Sequence, residues 1–455
     1  MFLGRKNEID KLMKFMTNPN TKAAMIYGRR RVGKSGLITH CLGKTNTKYL
    51  YYECNQTSEQ NNINNILGLL SDLYNIPPLQ INDIGSLLKY IYSSVKEELI
   101  FVLDEYPYLR EVVTGLDSIF QTILDQNRDS KVKLILCGSY VEIMKNILEE
   151  ENPLYGRFDF IMELKPMDYY ESSLFYPNLS LEDKVRMYSV LGGIPYYNLL
   201  VDDQKTVKEN IISLVASNGA RLETEISGYL KTQLSNINNA NEAIEILANG
   251  YYKYSDIYEQ ANIKKGPTLI DALDKLISMG LVSKVSPIND ENNKKKTGYV
   301  IVDPLSCFYY KYIYKNKSRL IVMNNDMFYD LFIKEDFENQ YVPKYFEIIS
   351  KEYLIRKNKE GLITPPFDKI GKYYYDDPKN HKNGEFDVVT HDEMGYMFYE
   401  VKFRNKPLSN AMIEEEIKQI KECGIDCERY GFISKSGFVE KNESITQITL
   451  EDLYR

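Results

Sequence analysis

The stretch of sequence that decides the fold is AAMIYGRRRVGKSGLITH, residues 23–40. It starts with the apolar run AAMIYG, which predicts a buried β-strand, and ends where a helical pattern begins. Between the two, Gly28 to Ser35 match the pattern G-x4-G-K-[ST]. In a strand–loop–helix context this pattern is that of a P-loop, in which backbone amides and a helix N-terminus hold phosphate groups. The sequence therefore predicts a phosphate-binding site, with a chance glycine-rich turn as the alternative.

The predicted loop makes its phosphate contacts largely through the main chain. Lys34 is expected to reach the β- and γ-phosphates, and Ser35 to complete the ligand shell of a Mg2+ ion. The side chains of the three arginines are expected to face solvent or a neighbouring domain, because backbone groups already contact the phosphates. The predicted nucleotide-binding residues of the loop are Gly28, Arg29, Arg30, Arg31, Val32, Gly33, Lys34, Ser35 and Gly36.

Two acidic residues end a second apolar run. The segment LIFVLDEYP places Asp104 and Glu105 at the carboxyl end of a buried strand. Asp104 is the candidate to hold Mg2+ through water, and Glu105 is the candidate to polarise an attacking water. The alternative is a pair of solvated carboxylates at a strand end.

Two further residues complete the candidate set for phosphate chemistry. Ser139 follows a third apolar run in ILCGS and is placed to sense a γ-phosphate, with a surface serine in a βα turn as the alternative. Arg157 in PLYGRF is a candidate charge-stabilising finger, acting in cis or on a neighbouring subunit. An ordinary surface or interdomain arginine is the other interpretation.

The order of apolar and helical patterns predicts an α/β chain with a P-loop NTPase parallel sheet, a helical lid, a winged helix and a C-terminal α/β domain. The apolar runs of the first domain lie at 23–28, 49–54, 99–105, 133–139 and 158–164. The predicted domains are a P-loop core over 1–165, a lid over 166–236, a winged helix over 237–304, and the terminal domain over 305–455.

The predicted winged helix consists of three helices followed by a β-hairpin. Its third helix, residues 267–280, carries nearly balanced charges, whereas lysines precede that helix and occupy the hairpin tip. This distribution favours phosphate contact over base reading, and packing against the rest of the chain is the alternative. The lysines are Lys264, Lys265, Lys294, Lys295 and Lys296.

The terminal domain contains a second group of chemically reactive residues. Asp387 lies in the β run EFDVVTH, and Glu400 and Lys402 share one face of the next run, MFYEVKF. Glu385 shares the face of Asp387, and Glu347 in an upstream helical segment is a further candidate ligand. Two carboxylates and a lysine on one sheet edge suit Mg2+ binding and water activation against a phosphodiester, with Asp387 and Glu400 as metal ligands.

Composition limits the remaining possibilities. A chain of 455 residues is longer than one hydrophobic core usually organises, so several domains are expected. A hydrophobic content of 43% excludes wholesale disorder. A net charge of −7 leaves nucleic-acid contact to local patches. The charged first residues and the lack of an apolar run of ~18 residues predict no membrane segment and a cytoplasmic location. His381 and His391 are expected to be ordinary exposed histidines.

Seven motifs spread over about residues 1–235 resemble, in this order, the archaeal-type ATPase family within the AAA+ and STAND branch of P-loop NTPases. The resemblance implies ATP as the ligand, with Gly4 and Arg5 near the adenine or ribose. It also implies Lys34 and Ser35 on phosphate and metal, and Asp104 and Glu105 as the acidic pair. The motifs are FLGRKNEIDKL, YGRRRVGKS, VLDEYPYL, LILCGS, NPLYGRF, LKPM and LGGIPYY.

The C-terminal residues resemble a second family. Asp387, Glu400 and Lys402 look like the D…E-x-K core of the PD-(D/E)XK nuclease superfamily, with Phe386 before the aspartate where that family often has proline. Together with DPLSCFYYKYI and IGKYYYDD, they resemble the domain of unknown function that ends many archaeal-type ATPases. The resemblance implies a nuclease-like fold over 305–455.

The expected function is that of an ATP-binding and ATP-hydrolysing enzyme with Mg2+, coupled to a DNA-binding winged helix and a metal-dependent nuclease domain, in defence or mobile-element biology. DNA is preferred over RNA as the nucleic-acid partner, and a homo-oligomer or a protein partner is left open. The first alternative is an ATP-dependent switch whose inactive nuclease fold binds DNA or a protein. The second is a chaperone-like or signalling ATPase with no nucleic-acid role.

Overall fold

The computed structural model of the chain describes residues 2–77, 79–234, 237–263, 266–377, 382–423, 425 and 427–455. Lys264, Lys265 and His381 lie outside these residues. The chain divides into two units, one formed by Met1–Pro166 with Ile194–Tyr196, the other by Met167–Gly193 with Tyr197–Arg455. None of the helices within the described ranges is both long enough and apolar enough to cross a membrane.

The first unit is built on a five-stranded parallel sheet in the order β2-β3-β4-β1-β5, which confirms the predicted fold class. Every residue of β1, β3 and β4 is buried, as expected for central strands covered on both faces. The strands are β1 Ala23–Tyr27, β2 Lys48–Glu53, β3 Leu99–Asp104, β4 Val132–Gly138 and β5 Phe160–Glu163.

Helices connect these parallel strands, and residues from α3 to α6 join the strands in one apolar core. The side chains of Ser58 and Asp83 accept hydrogen bonds from backbone amides in the first turns of α3 and α4, which fixes where these helices begin. The helices are α1 Lys6–Thr17, α2 Lys34–Leu42, α3 Glu59–Tyr74, α4 Ile84–Ser94, α5 Tyr106–Val112, α6 Leu116–Gln126 and α7 Val141–Asn146.

The strand order brings three candidate segments to one edge of the sheet. The P-loop follows β1, the acidic pair closes β3, and Ser139 follows β4, which lies between the other two strands. Because all three strands are parallel, their carboxyl ends meet at the same edge.

The second unit begins with helices and continues with a three-helix and hairpin segment. In the segment predicted as the lid, the helices are α8 Tyr169–Ser173, α9 Leu181–Leu191, α10 Pro195–Asn198, α11 Val207–Leu214 and α12 Glu225–Gln233. Three helices and two antiparallel strands then follow: α13 Asn238–Ala248, α14 Tyr254–Gln260, α15 Gly266–Ser278, β6 Val282–Val285 and β7 Gly298–Ile301.

The C-terminal part is a mixed sheet in the order β12-β11-β10-β9-β8. Strands β8, β9 and β10 pair antiparallel, whereas β10, β11 and β12 pair parallel, with α21 connecting β10 to β11. The strands are β8 Lys369–Asp377, β9 Lys382–Asp392, β10 Gly395–Lys402, β11 Tyr430–Ser434 and β12 Thr446–Thr449. The apolar run RYGFISK in the sequence predicts the last strand of the chain. It forms β11, but β12 follows it, so that prediction was wrong.

Helices precede and cover this mixed sheet, and two of the segments before it are wound as π-helix, Tyr309–Ile313 and Phe337–Tyr341, with a 3-10 turn at Tyr314–Asn316. The π-helical residues Tyr309, Phe337 and Tyr341 are buried. The helices are α16 Pro304–Phe308, α17 Lys317–Val322, α18 Asn325–Phe332, α19 Lys334–Asp336, α20 Val342–Lys359, α21 Asn410–Glu422 and α22 Leu450–Leu453.

A buried lysine of β4 contacts the C-terminal end of α1. The Lys133 ammonium on β4 donates to the carbonyl oxygens of Phe15, Met16 and Asn18 at 3.2, 2.9 and 2.5 Å. The Thr21 hydroxyl also donates to the carbonyl oxygens of Phe15 and Asn18, at 2.7 and 2.9 Å. The ammonium therefore matters most for the Met16 carbonyl, and it joins the end of α1 to the sheet.

We expect Lys133→Ala to destabilise the attachment of α1 by about 1–3 kcal/mol, because it removes the ammonium that donates to the buried Met16 carbonyl. Native-state hydrogen exchange of the α1 amides measures this change. Lys131, exposed two residues earlier, provides the matched control Lys131→Ala, with an expected change below about 0.5 kcal/mol. Equal protection of α1 in the two variants would contradict this role.

Candidate functional site

The P-loop is shaped by two glycines. A Cβ on Gly28 would lie 2.3 Å from the carbonyl oxygen of Leu164, so no larger residue fits against the end of β5. Gly33 takes a left-handed φ of 98° immediately before α2 begins at Lys34. The loop therefore closes tightly against the sheet and presents the first amides of α2 at the strand edge.

The Lys34 side chain folds over this loop. Its ammonium donates to the carbonyl oxygens of Gly28 at 2.9 Å and Arg29 at 3.2 Å, and the side chain is buried. A buried ammonium beside several backbone amides is a site of positive potential. The arrangement fits the predicted role of Lys34 on phosphate oxygens. Of the loop arginines, Arg30 is exposed and Arg29 is buried, so Arg29 does not face solvent, and its contact with a neighbouring domain stays a prediction.

Ser35 and Asp104, the two predicted metal-binding residues of the first unit, contact each other. The Ser35 hydroxyl donates to Asp104 Oδ2 at 2.5 Å, and Asp104 is 2% exposed. The Tyr51 hydroxyl on β2 donates to the same carboxylate oxygen. Burial and the nearby Asp104 charge raise the pKa of Tyr51, so this hydroxyl stays protonated as a donor. Hydroxyl and carboxylate oxygens are ligands that Mg2+ prefers, so the donor set fits this ion.

Glu105 and Ser139 also contact each other. The Ser139 hydroxyl lies 2.7 Å from both carboxylate oxygens of Glu105, and the Ser139 amide donates to Oε2 at 3.1 Å. Glu105 takes a left-handed φ of 50° at the start of α5. The sequence proposed these two residues separately, and the structure holds them as one pair beside Asp104.

Arg5 contacts the main chain of the P-loop. Its guanidinium donates to the carbonyl oxygens of Val32 at 3.2 Å and Lys165 at 2.6 Å, and it pairs with Glu8 at 3.1 Å. The side chain is 3% exposed, so these main-chain contacts occupy a buried position. Gly4 precedes it with a left-handed φ of 67°. The predicted contact of Gly4 and Arg5 with adenine or ribose stays a prediction.

Arg157 lies at the other edge of the sheet. It precedes β5, and its guanidinium binds Asp125 at 2.9 Å and the carbonyl oxygen of Pro153 at 2.7 Å. The amino ends of parallel strands are opposite the P-loop edge, so this placement does not fit an action in cis. An action on a neighbouring subunit stays a prediction.

The LGGIPYY segment reaches the P-loop within the first unit. The Arg31 guanidinium lies 4.2 Å from the ring centroid of Tyr196. Pro195 Cγ would lie 3.7 Å from a Cβ on Gly33. These contacts place residues 194–196 against the loop that the sequence predicts to bind nucleotide.

The C-terminal candidate residues also come together. The Lys402 ammonium lies 2.7 Å from Glu400 Oε1 and 2.8 Å from Glu416 Oε1, a residue of α21 that sequence reasoning missed. Burial, followed by the nearby Glu416 and Asp387 charges, raises the pKa of Glu400, and Lys402 opposes that shift. The ion pair between Glu400 and Lys402 shows that these two side chains share one face of β10, as expected.

Asp387 has a lysine of its own. The Lys372 ammonium on β8 lies 2.8 Å from Asp387 Oδ1 and 3.3 Å from Glu385 Oε2. Sequence reasoning missed Lys372 because it did not predict β8 as a strand. The only available signal was the residue alternation around IGKYYYDD.

Glu347 faces the same cluster from α20. Burial and the Asp387 charge raise the pKa of Glu347 to about 7. One turn later, burial lowers the pKa of Lys351, opposed by the attraction of Asp387. Within the described residues, no group of three or more His, Cys, Asp or Glu side chains is arranged to hold a metal ion. Asp387 and Glu400 can therefore provide only part of a metal shell.

The hairpin tip is not freely projecting. Lys296 pairs with Asp290 at 2.7 Å and lies 4.1 Å from the ring centroid of Tyr374 on β8. Lys294 and Lys295 are exposed. His391 lies within β9 and its Nδ1 is 2.8 Å from Asp368 Oδ1.

Residues 2–201 match a family model described as an ATPase domain predominantly from Archaea. These residues belong to the archaeal-type ATPase family. Residues 309–420 of this ATPase match a second model, described as "Archaea bacterial proteins of unknown function". This second match covers α20, Lys372, Asp387, Glu400, Lys402 and Glu416 but assigns them no activity.

Two proteins of Methanocaldococcus jannaschii are similar to this archaeal-type ATPase. One uncharacterised protein is 27% identical over 410 residues, covering 89% of this chain and 88% of the relative. An uncharacterised ATP-binding protein is 27% identical over 154 residues, covering 30% of this chain and 42% of the relative. A solved Walker-type ATPase of Pyrococcus abyssi has a TM-score of 0.52 at 19% identity, over 68% of this chain and 96% of that one, which shows the fold alone.

We expect Lys34→Ala to weaken ATP binding by about 10- to 100-fold, the range for losing one charge-assisted hydrogen bond. Isothermal titration with ATP and Mg2+ measures the change. Lys44, exposed just after α2, provides the control Lys44→Ala with wild-type affinity expected. An unchanged affinity in Lys34→Ala would contradict the assignment of Lys34 to the phosphates.

Proposed function

We propose that this archaeal-type ATPase binds ATP with Mg2+ at the P-loop and hydrolyses it. The observation that carries the proposal is the pair of hydrogen-bonded couples at adjacent strand ends, Ser35 with Asp104 and Glu105 with Ser139. The Ser35 hydroxyl and the Asp104 carboxylate, which can bind a metal ion, thus lie beside the Glu105 carboxylate, which can orient a water molecule. This is the division of roles that phosphoryl transfer to water requires.

Each side chain has a defined task in this proposal. The amides at the start of α2 and the Lys34 ammonium bind the phosphate oxygens. Ser35 and Asp104 would hold Mg2+, which supplies positive charge that offsets the charge on the phosphates. Glu105 accepts the hydrogen bond of the attacking water and orients its oxygen. The Ser139 hydroxyl and amide hold Glu105 in place and restrain its two oxygens.

Nucleotide turnover in the first unit is proposed to regulate the second unit. The family match extends through residue 201, so it spans the whole P-loop sheet and part of the segment predicted as the lid. A ligand changes the state of a domain only when it binds two states with different affinity. The predicted ranges 166–236 and 237–304 are the proposed carriers of that change.

We expect Glu105→Gln to lower the rate of ATP hydrolysis by about 100-fold or more while leaving ATP affinity unchanged, because an amide cannot take the proton of the water. Phosphate release and ATP titration, measured on the same sample, separate the two effects. Glu111→Gln, at an exposed position in α5, is the matched control. Hydrolysis by Glu105→Gln at the wild-type rate would remove Glu105 from the mechanism.

A second candidate function concerns the C-terminal domain. We infer that Asp387, Glu400 and Lys402 form a metal-dependent site for phosphodiester hydrolysis in nucleic acid, with DNA preferred. The favouring observation is that α20, three antiparallel strands, α21 and β11 follow in this order and bring Glu347, Asp387, Glu400 and Lys402 to one cluster. The carboxylate oxygens of Asp387 and Glu400 are ligands that divalent cations prefer, and they would provide part of a metal's ligand shell.

In this second proposal Asp387 and Glu400 would hold Mg2+, whose charge stabilises the phosphodiester as negative charge builds up on it. Lys402 binds the reacting water or a phosphate oxygen, and Glu416 keeps the ammonium charged and in position. Exposed Lys294 and Lys295 offer phosphate contacts, whereas Lys296 is already paired. The competing function is an ATP-dependent switch whose inactive C-terminal domain binds DNA or a protein.

We expect Asp387→Asn and Lys402→Met each to abolish Mn2+-dependent cleavage across a panel of single- and double-stranded DNA and RNA. Gel analysis with and without ATP measures this. Glu393→Gln, in the exposed turn after β9, should cleave like the wild type. If every substrate stays intact with the wild type under all conditions, the switch function replaces the nuclease function.

A further inference from the structure

The two predicted metal ligands of the C-terminal site are bound to different lysines. Glu400 pairs with Lys402, the lysine of the E-x-K pattern, whereas Asp387 pairs with Lys372 from β8. Lys372 also reaches Glu385, so its ammonium bridges two carboxylates on β9. An ammonium in this position offers the same charge compensation that a metal ion would provide at Asp387.

The backbone around Lys372 departs from regular pairing. The register between β8 and β9 shifts between Gly371 and Tyr373, with Lys372 at the irregularity. Lys372 is the one residue of β8 between these pairs, whereas Asp387 and Val388 are the two residues of β9, so the extra residue lies on β9. Such a bulge changes the direction of the side chains beside it. The position of the Lys372 ammonium therefore depends on whatever fixes this bulge.

The loop between β6 and β7 holds the bulge. The Ile288 amide donates to the Lys372 carbonyl oxygen at 2.8 Å, and the Ile288 side chain is buried in the core of the C-terminal sheet. The Asn289 amide group bonds the carbonyl oxygen of Tyr374 at 2.7 Å, and the amide of the same tyrosine donates back to Asn289 at 3.0 Å. These contacts attach the loop to β8 at Lys372 itself and two residues later.

A further ion pair and one glycine strengthen this attachment of the loop to β8. Lys369, three residues before Lys372, pairs with Glu291 of the same loop at 3.0 Å. A Cβ on Gly371 would lie 2.8 Å from Ile288 Cγ2, so glycine at this position permits the close approach of the loop. The hairpin predicted to touch nucleic acid is thus attached to the strand that supplies Lys372.

We propose that the Lys372 ammonium takes the place of a metal ion beside Asp387 and Glu385, and that the β6–β7 loop sets its position. A divalent metal enters at Asp387 only when this ammonium moves to a phosphate of nucleic acid. The proposal rests on the metal site inferred above. A metal ion and an ammonium on one carboxylate repel each other, so they compete for Asp387. Phosphate oxygens are an alternative acceptor for the ammonium. Metal loading thereby becomes dependent on a bound polynucleotide.

The test measures Mn2+ binding to the full, nucleotide-free chain by the loss of the free-ion electron paramagnetic resonance signal. We expect Lys372→Met to bind Mn2+ at Asp387 about tenfold more tightly than the wild type, the size of effect that one adjacent charge has on a carboxylate. Lys372→Arg keeps the charge and should behave like the wild type. Lys418→Met, which removes one exposed ammonium from α21 and leaves the β6–β7 loop attached, is the charge-matched control and should also be unchanged. Asp387→Asn should remove the gain.

Two further arms test the loop and the substrate. Asn289→Ala, which loosens the loop without changing any charge, should also tighten Mn2+ binding, by less than Lys372→Met. A single-stranded DNA oligonucleotide should raise the Mn2+ affinity of the wild type towards that of Lys372→Met, after subtraction of the Asp387→Asn sample with the same DNA. Wild-type affinity in Asn289→Ala would overturn the role of the loop, and no effect of DNA would overturn the role of phosphate.

The outcomes separate this inference from the function on which it rests. Equal Mn2+ affinity of wild type and Lys372→Met, with Asp387→Asn weakening both backgrounds, would leave the metal site in place and overturn the competition. Absence of Asp387-dependent Mn2+ binding in every variant would overturn the metal site itself and the inference with it. Nuclease activity is not needed for either decision.

Discussion

The position of β4 between β1 and β3 is the constraint on which the first unit depends. It sets the P-loop, Ser139 and the acidic pair side by side at one sheet edge, although they are far apart in the chain. At this edge the Ser35 hydroxyl contacts Asp104, and the Ser139 hydroxyl contacts Glu105. Glu105 meets Ser139 because β3 and β4 are neighbours, and parallel neighbours carry their carboxyl ends to the same edge.

Much of this unit could be predicted because its signals are local. The runs at 23–28 and 99–105 are continuous apolar segments, and the structure makes them β1 and β3 within one residue at each end. Their buried character on both faces is visible in composition alone. Tyr51 could not be predicted as a partner of Asp104, because it reaches the carboxylate only through the pairing of β2 with β3.

The C-terminal site was less accessible from sequence for a physical reason. Asp387, Glu400 and Lys402 lie on strands joined by a short turn, so their alternation predicts their shared location. Lys372 and Glu416 come from β8 and α21, and only the tertiary fold brings their charges to the cluster. The register shift at Lys372 leaves no signature that periodicity can recognise. The attachment of the β6–β7 loop is equally non-local, since Ile288 is an ordinary apolar residue in the sequence.

The two sites hold their acidic residues in opposite ways, and this difference has a consequence. In the first unit, Asp104 is bound by neutral hydroxyls of Ser35 and Tyr51, and the Ser35 oxygen is itself able to join a metal shell. A cation entering there gains a ligand and meets no positive charge on Asp104. In the second unit, Asp387 is bound by an ammonium, which a metal must displace against like-charge repulsion. Under the functions proposed above, the first site accepts its ion together with phosphate, whereas the second excludes its ion until another anion binds the lysine.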